Sequence, residues 1–393
     1  MTKEIVIVGA GAGGGLVASK LRRLIPEDKA HITIIDKYGK TVFQPSQTLV
    51  SIGSRLPEQI STDISNFYKR GIKPIKGEVT DVDAANRNVV LSSQKIPYDI
   101  LVLSPGVKFD KQSFPGYNNV EQFWDLEGAI SLRSKLSTFK GGNIVIGVTT
   151  KVYKCPPVPW EMAMILDDYF RNKGMRDKVN ITVAHFASKP FEMFGPVLSN
   201  PVTKWFEERD IHTVNNFNPK NIDGENKKII GEANETIDYD LAIIAPPHKP
   251  QDFIAKNPDL LSKQGWLDSN IKNFRNSKFD DIYGLGDSIA PTVGLGMAGV
   301  FAHFQADTVA SLIAGDVMGI HAPIPYNTVG LCAGDTGDAG MFAYCDFGDK
   351  LTKPDTLFPD CRLVPPDKML KFAHAIYEKY FLANVYGGWY YGQ

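Results

Sequence analysis

An α/β chain of two Rossmann-like units, the second of them altered, follows from three observations on a 393-residue sequence. A short apolar run near the N-terminus ends in a G-x-G-x-x-G loop. A similar run near residue 145 ends instead in a proline-rich loop carrying a cysteine, and a third run near residue 285 closes on Gly-Asp.

Residues 5–8, Ile-Val-Ile-Val, are continuously apolar, as a strand buried on both faces requires. Gly9-Ala10-Gly11-Ala12-Gly13-Gly14 follows at once and opens a helix whose buried side is Leu16, Val17, Leu21 and Leu24, ending before Pro26. Residues 31–35 form the next strand, with Asp36 at its end, 22 residues beyond Gly14. Glycines let the backbone approach a pyrophosphate at the helix N-terminus, and the carboxylate accepts hydrogen bonds from a ribose. Gly9, Gly11, Gly14 and Asp36 therefore predict a dinucleotide site.

Residues 98–106 supply a further strand that ends in Ser104-Pro105-Gly106, and residues 143–147 begin the second unit. Here the chain continues Val148-Thr149-Thr150-Lys151-Val152-Tyr153-Lys154-Cys155-Pro156-Pro157-Val158-Pro159-Trp160-Glu161 before a helix over 162–173. Without glycines, this loop offers a nicotinamide dinucleotide no phosphate cradle. Residues 181–184 and 240–247 nevertheless continue the strand pattern, so the unit keeps its fold and lacks its usual ligand. Near the end, residues 282–287 make a short strand closing on Gly286-Asp287, followed by a small-residue helix to about residue 315.

At about 150 residues per domain the length fits two or three units. The expected division is 1–110, 111–250, 251–320 and 321–393, the first and third forming one nucleotide-binding domain. With 43 basic and 44 acidic side chains, the net charge of −1 gives no global field for nucleic acid. Four cysteines are too few for a disulfide framework, and neither a Cys-x-x-Cys nor a His cluster suggests a metal. No signal-peptide pattern and no apolar run of ~18 residues is evident, so the expectation is a cytoplasmic chain without a transmembrane segment. Over residues 367–383 Met369, Leu370, Phe372, Ala373, Ile376, Tyr377, Tyr380 and Phe381 recur at helical spacing, and aromatic residues cluster over 386–391. That stripe fits a helix docked on the body, a dimer contact, or attachment to a membrane surface.

The Gly-Asp segment and the strand over 98–106 resemble those of two-dinucleotide-fold flavoproteins of the FAD-dependent pyridine nucleotide-disulfide oxidoreductase type. The cysteine loop Lys154 to Glu161, the stretch on to residue 183, the segment Tyr326-Asn327-Thr328-Val329-Gly330-Leu331-Cys332, and Phe43-Gln44-Pro45-Ser46 on to Ile52-Gly53 resemble a narrower group. It comprises the sulfide:quinone oxidoreductases, notably the archaeal branch, and the flavoprotein subunit of flavocytochrome c sulfide dehydrogenase. The flavocytochrome case would want export and a haem partner, and no Cys-x-x-Cys-His is present.

The resemblance implies FAD lined by Gly9, Gly11, Gly14, Asp36, Lys37, Gln44, Pro45, Val79, Ser104, Pro105, Gly106, Gly286 and Asp287. It implies a redox-active Cys155–Cys332 disulfide that oxidises sulfide to sulfur or polysulfide and passes electrons through FAD to a membrane quinone. Non-covalent FAD is expected, because Phe123-Trp124-Asp125 stands where some members carry a flavin-linking cysteine. Glu161 fits either proton transfer at the cysteines or simple capping of its helix. Gly294 occupies the place of a lysine that members use beside flavin and quinone. Quinone use favours peripheral, monotopic attachment through the C-terminal helix on the cytoplasmic side of the cell membrane, and a homo-oligomer is compatible with it. Cys345 and Cys361 are expected to be ordinary thiols. A type II NADH:quinone oxidoreductase and a non-catalytic flavin redox sensor are the competing readings.

Overall fold

A computed structural model describes residues 2–383 and Val385. The chain begins with strand β1 (Lys3–Val8), helix α1 (Ala12–Leu24) and strand β2 (Ala30–Asp36), then adds β3 (Ile72–Lys76) and β4 (Ile100–Leu103). A second run follows: β5 (Gly142–Val148), helix α2 (Val158–Asn172), β6 (Val179–Ala184), β7 (Ile211–Val214) and β8 (Leu241–Ala245). Next come β9 (Ile282–Gly284) and the 20-residue helix α3 (Gly299–Met318). Strands β10 (Val329–Asp335), β11 (Gly340–Asp346) and β12 (Asp360–Asp367) and helix α4 (Leu370–Leu382) end the described chain.

The continuous apolar runs become central strands for the reason that predicted them. In the first sheet, of order β9-β4-β1-β2-β3, β1 lies between β4 and β2 and buries Ile5, Val6, Ile7 and Val8. All its pairings are parallel, so the strand C-termini converge on one edge, where Gly9, Ser104 and Gly286 meet. The second sheet, of order β7-β6-β5-β8, repeats the arrangement with β5 central. The third is antiparallel, β10-β11-β12, and carries α4 against β10 and β11.

Three expectations change. Leu24, assigned to the buried side of α1, is 50% exposed, because it lies in the last turn as the helix leaves the sheet. Cys345 and Cys361 are not ordinary thiols: they face each other across β11 and β12 and form a disulfide with a Cα–Cα distance of 4.1 Å. Sequence spacing could not reveal this pairing, which depends on the register of two strands separated by a long connection.

The third change concerns α4, which forms where the apolar spacing predicts but divides the predicted stripe: Tyr377 and Phe381 face the protein, with His374 and Glu378 beside them, and most of the rest faces out. His374, Glu378 and Phe381 are buried, whereas Met369, Phe372, Ile376 and Tyr380 are exposed, the first three by more than 65% (79%, 69% and 68%). The helix is anchored by Phe43, whose ring contacts His374, Tyr377 and Phe381 at centroid distances of 5.8, 5.6 and 5.3 Å. The aromatic cluster over 386–391 lies outside the described residues. Among those described, no helix is long and apolar enough to cross a membrane.

Candidate active site

At the edge where the first sheet's strands end, the glycines divide into two kinds. A Cβ on Gly9, which has φ +97°, would overlap the Ser104 carbonyl, and one on Gly14 would overlap the Gly9 carbonyl. These two let helix, loop and strand pack together. A Cβ on Gly11 meets nothing within 4 Å, so this glycine faces open space at the N-terminus of α1. That open cradle fits a pyrophosphate. Asp36 braces its rim: Oδ2 accepts from the Ala10 amide at 3.1 Å, and Oδ1 accepts from the amides of Tyr38 and Gly39, each at 2.9 Å.

The remaining residues expected to line a flavin are not all gathered there. Ser104 is buried beside Gly9 and Gly13, and the Ser288 hydroxyl ties Gly106 to the turn after β9 by donating to its carbonyl at 3.1 Å. Pro105 joins them in sequence, and the Gly286 amide donates to Gln305 Oε1 at 2.7 Å. Gln44 and Asp287 meet through Lys154. Its ammonium donates to Gln44 Oε1 at 2.9 Å and lies 5.1 Å from the Phe109 ring centroid. Burial pushes the Asp287 carboxyl up and the Lys154 ammonium down, each partly offset by the other's charge. Pro45 is exposed beside Gln44; Lys37 is exposed and paired with Glu78 at 2.8 Å; Val79 is buried in the core. Lys154 belongs to the cysteine motif, but its place in the sequence gives no direction to its side chain, which follows from how the loop is held.

That hold is specific. The Cys155 amide donates to the Met297 carbonyl at 2.7 Å, and the Lys154 amide to His248 Nε2 at 3.3 Å. Trp124 Nε1 donates to the Lys154 carbonyl at 2.9 Å, while the indole stacks on Phe123 at 4.1 Å between centroids. The Phe123-Trp124-Asp125 stretch therefore clamps the cysteine loop, and Asp125 caps the helix Leu126–Thr138 by accepting from the Gly128 amide. Cys155 itself has φ +55°, a left-handed conformation uncommon for a side-chain-bearing residue and found where surrounding contacts impose it.

Cys332 sits in β10 opposite Ala343, and both it and Cys155 are free thiols. They lie close enough that each one's surroundings include the other or the shared Glu161. Burial pushes the Cys155 thiol well up, reinforced by the charges of Glu161, Cys332 and Asp287 and opposed by Lys154. Burial, then Glu161, pushes the Cys332 thiol up to about 12. Glu161, in the first turn of α2, makes no side-chain cap to that helix; its Oε1 accepts from the Asp335 amide at 2.8 Å. Burial raises its carboxyl to about 8, the Asp335 amide opposing and the Asp335 charge adding to the shift. Near neutral pH it therefore holds a proton that a buried thiolate would take.

Among the described residues, no cluster of three or more His, Cys, Asp and Glu could hold a metal. Gly294 has φ +72°, and a Cβ there would meet only the Leu351 side chain at 3.6 Å.

The sequence profile of the pyridine nucleotide-disulphide oxidoreductases matches residues 3–306. The mitochondrial sulfide:quinone oxidoreductase of Dictyostelium discoideum is 31% identical over 300 residues, covering 72% of this chain and 65% of that protein. The chain thus spans slightly less than two thirds of that relative's length. The sulfide-quinone reductase of Aquifex aeolicus is 28% identical over 419 residues, covering 99% of this chain and 92% of that one. The X-ray structure of the sulfide:quinone oxidoreductase from the same bacterium has the same fold, with a TM-score of 0.85 at 23% identity over 98% of this chain and 91% of that one.

Proposed function

The chain belongs to the pyridine nucleotide-disulphide oxidoreductase family, and from that premise we propose that it is a flavin-dependent sulfide:quinone oxidoreductase. The observation that carries the reading is the juxtaposition of Cys155, Cys332 and Glu161 where the second Rossmann-like unit has exchanged a glycine cradle for a thiol. FAD, held without a covalent bond by the Gly11 cradle, Asp36, Gln44 and Asp287, would supply two-electron chemistry between the cysteines and a quinone.

The chain's own residues account for the sulfur steps. In the oxidised form Cys155 and Cys332 are joined; hydrosulfide attacks one sulfur, that bond breaks, and the other sulfur departs as a thiolate. Burial makes this thiolate costly, and Glu161 gives it a proton. Trp124, Met297 and His248 keep Cys155 in place through the backbone of its loop. Lys154, reaching Gln44 and facing Asp287, provides a cation in the flavin cavity where Gly294 provides none.

Quinone is apolar, and the exposed Met369, which caps α4, with Phe372, Ile376 and Tyr380 on it, forms a face suited to the bilayer interface. This face supports peripheral attachment at the membrane surface. Replacing these four by serine should release the protein from quinone-containing vesicles while preserving flavin binding; unchanged co-sedimentation would remove the helix from this role.

Anaerobic addition of sulfide or NADH to the yellow holoprotein tests the activity. Sulfide should bleach the flavin band and NADH should leave it. Bleaching by NADH alone would establish the competing nicotinamide chemistry.

A further inference from the structure

Behind Glu161, on the side reached through β10, a second set of polar groups gathers around two buried members, Asp335 and His374, for no reason the sulfur steps supply. A cavity of about 300 Å³ lies between α2, β10, α4 and the segment 49–55. Its lining includes Arg55, Asp168, Asp335, Lys371 and His374. Asp335 is 6% exposed and stands between the two regions: its amide donates to Glu161, its carboxyl is near enough for its charge to raise that of Glu161, and the residue lines the cavity. Its Oδ1 accepts from the Gly337 amide at 2.8 Å and stands 4.0 Å from the Lys371 ammonium, which also donates to the Gly337 carbonyl.

Helix α4 extends the chain of groups. His374 Nε2 lies 3.1 Å from Ser46 Oγ, and its Nδ1 lies 3.4 Å from the Ala333 carbonyl. Ser46 donates to Glu378 Oε2 at 2.5 Å, and the Arg55 guanidinium lies 3.3 Å from that same oxygen. These contacts explain why His374 and Glu378 are buried: they meet polar partners beside Tyr377 and Phe381, which pack on Phe43. Burial pushes the carboxyls of Asp335 and Asp168 up, each opposed by Lys371, and keeps His374 below its usual range. Glu378 is also pushed up by burial, but Ser46, Lys379 and Arg55 outweigh this and hold it ionised.

Proton balance gives this arrangement a task, on the reading that sulfide is oxidised at Cys155 and Cys332. Adding hydrogen sulfide across their disulfide leaves a persulfide S–H and a thiol S–H. Rejoining them as a trisulfide forms one S–S bond and releases two protons and two electrons, for which a bound flavin would be the acceptor. Protons that do not travel with the electrons must leave the pocket around the two partly buried thiols.

We propose that Asp335, assisted by Lys371 and His374 on the inner face of α4, passes protons from Glu161 to the cavity beneath that helix and so to solvent. Asp335 acts through Glu161 and is a positioning and relay residue, not one that touches the sulfur atoms.

The test is the rate of anaerobic flavin bleaching by sulfide in the holoenzyme, across pH, in wild type and Asp335→Asn. The amide that holds Glu161 survives this substitution. Bleaching should slow by about 10²-fold, the low end for a positioned proton-transfer group, and imidazole small enough for the cavity should restore much of it. Asp335→Glu should retain most of the rate. Lys371→Met, on the more exposed side of the cavity, provides an independent variant, with a smaller loss that imidazole also relieves. Wild-type rates in both variants, or losses that imidazole and Asp335→Glu leave untouched, would overturn the relay. If sulfide fails to bleach the wild type, the reading of the activity has failed instead, before any variant is compared.

Discussion

Strand β1 passes to α1 through three residues, 9–11, whereas β5 reaches α2 only after nine, 149–157. The two units share parallel topology, central apolar strands and a helix that begins beyond the strand's C-terminal end. In the first, the short connection leaves Gly11 facing open space at a helix N-terminus. In the second, the long connection crosses to the segment after β9, where the Cys155 amide donates to the Met297 carbonyl and Pro156 packs against Gly296. One scaffold therefore leaves an open cradle or seats a thiol according to loop length and whether glycine or proline fills it. Chemistry is specified in the loop, and each sheet supplies the edge from which its loop departs.

The comparison breaks most plainly at the thiols. Cys155→Ser and Cys332→Ser, made separately, should each reduce sulfide-driven quinone reduction by at least ~10²-fold while the purified proteins remain yellow. Normal turnover in either would detach the second loop from the chemistry. In the first unit, Gly11→Val should fill the cradle and give a folded, colourless protein, checked by circular dichroism and flavin absorbance; a yellow product would show that the open space is not the cofactor's.

Glu161 sharpens the contrast through pH. Its carboxyl lies at about 8 in the folded chain against an ordinary 4.5, so the folded state holds the extra proton between those values. The resulting stability is fully present below pH ~4.5 and is lost as pH rises through ~8, by as much as ~5 kcal/mol. Glu161→Gln should flatten this slope in denaturant melts; an unchanged slope would place the carboxyl in a wetter setting. The smallest effect is expected from Trp124→Phe, which removes the bond to the Lys154 carbonyl and should cost about 1 kcal/mol, measured as a shift in melting temperature.

How much of this could be read beforehand follows from the range of each interaction. The unit β1–α1–β2 was legible because its glycines, apolar run and acid act within 36 residues. The absence of a cradle after β5 was legible for the same reason. Joining Cys155 to Cys332 rested on family resemblance, since nothing local connects them. The direction of Lys154, the clamp by Trp124 and the Cys345–Cys361 bond depend on strand register and loop docking, which composition does not encode. For α4, helical spacing identified the apolar stripe but could not say which part of it docks: Tyr377 and Phe381 pack on Phe43, while His374 and Glu378 meet Ser46 and Arg55 from distant parts of the sequence.

The central claim is that the two cysteine pairs differ in kind: Cys345–Cys361 fastens paired strands, and Cys155–Cys332 turns over with sulfide. Peptide mapping under non-reducing conditions, before and after anaerobic sulfide, tests it directly. The account predicts a Cys155–Cys332 cross-link in the oxidised holoprotein that opens on sulfide addition while the Cys345–Cys361 link persists. Free Cys155 and Cys332 in the oxidised protein, or a link between them indifferent to sulfide, would contradict it.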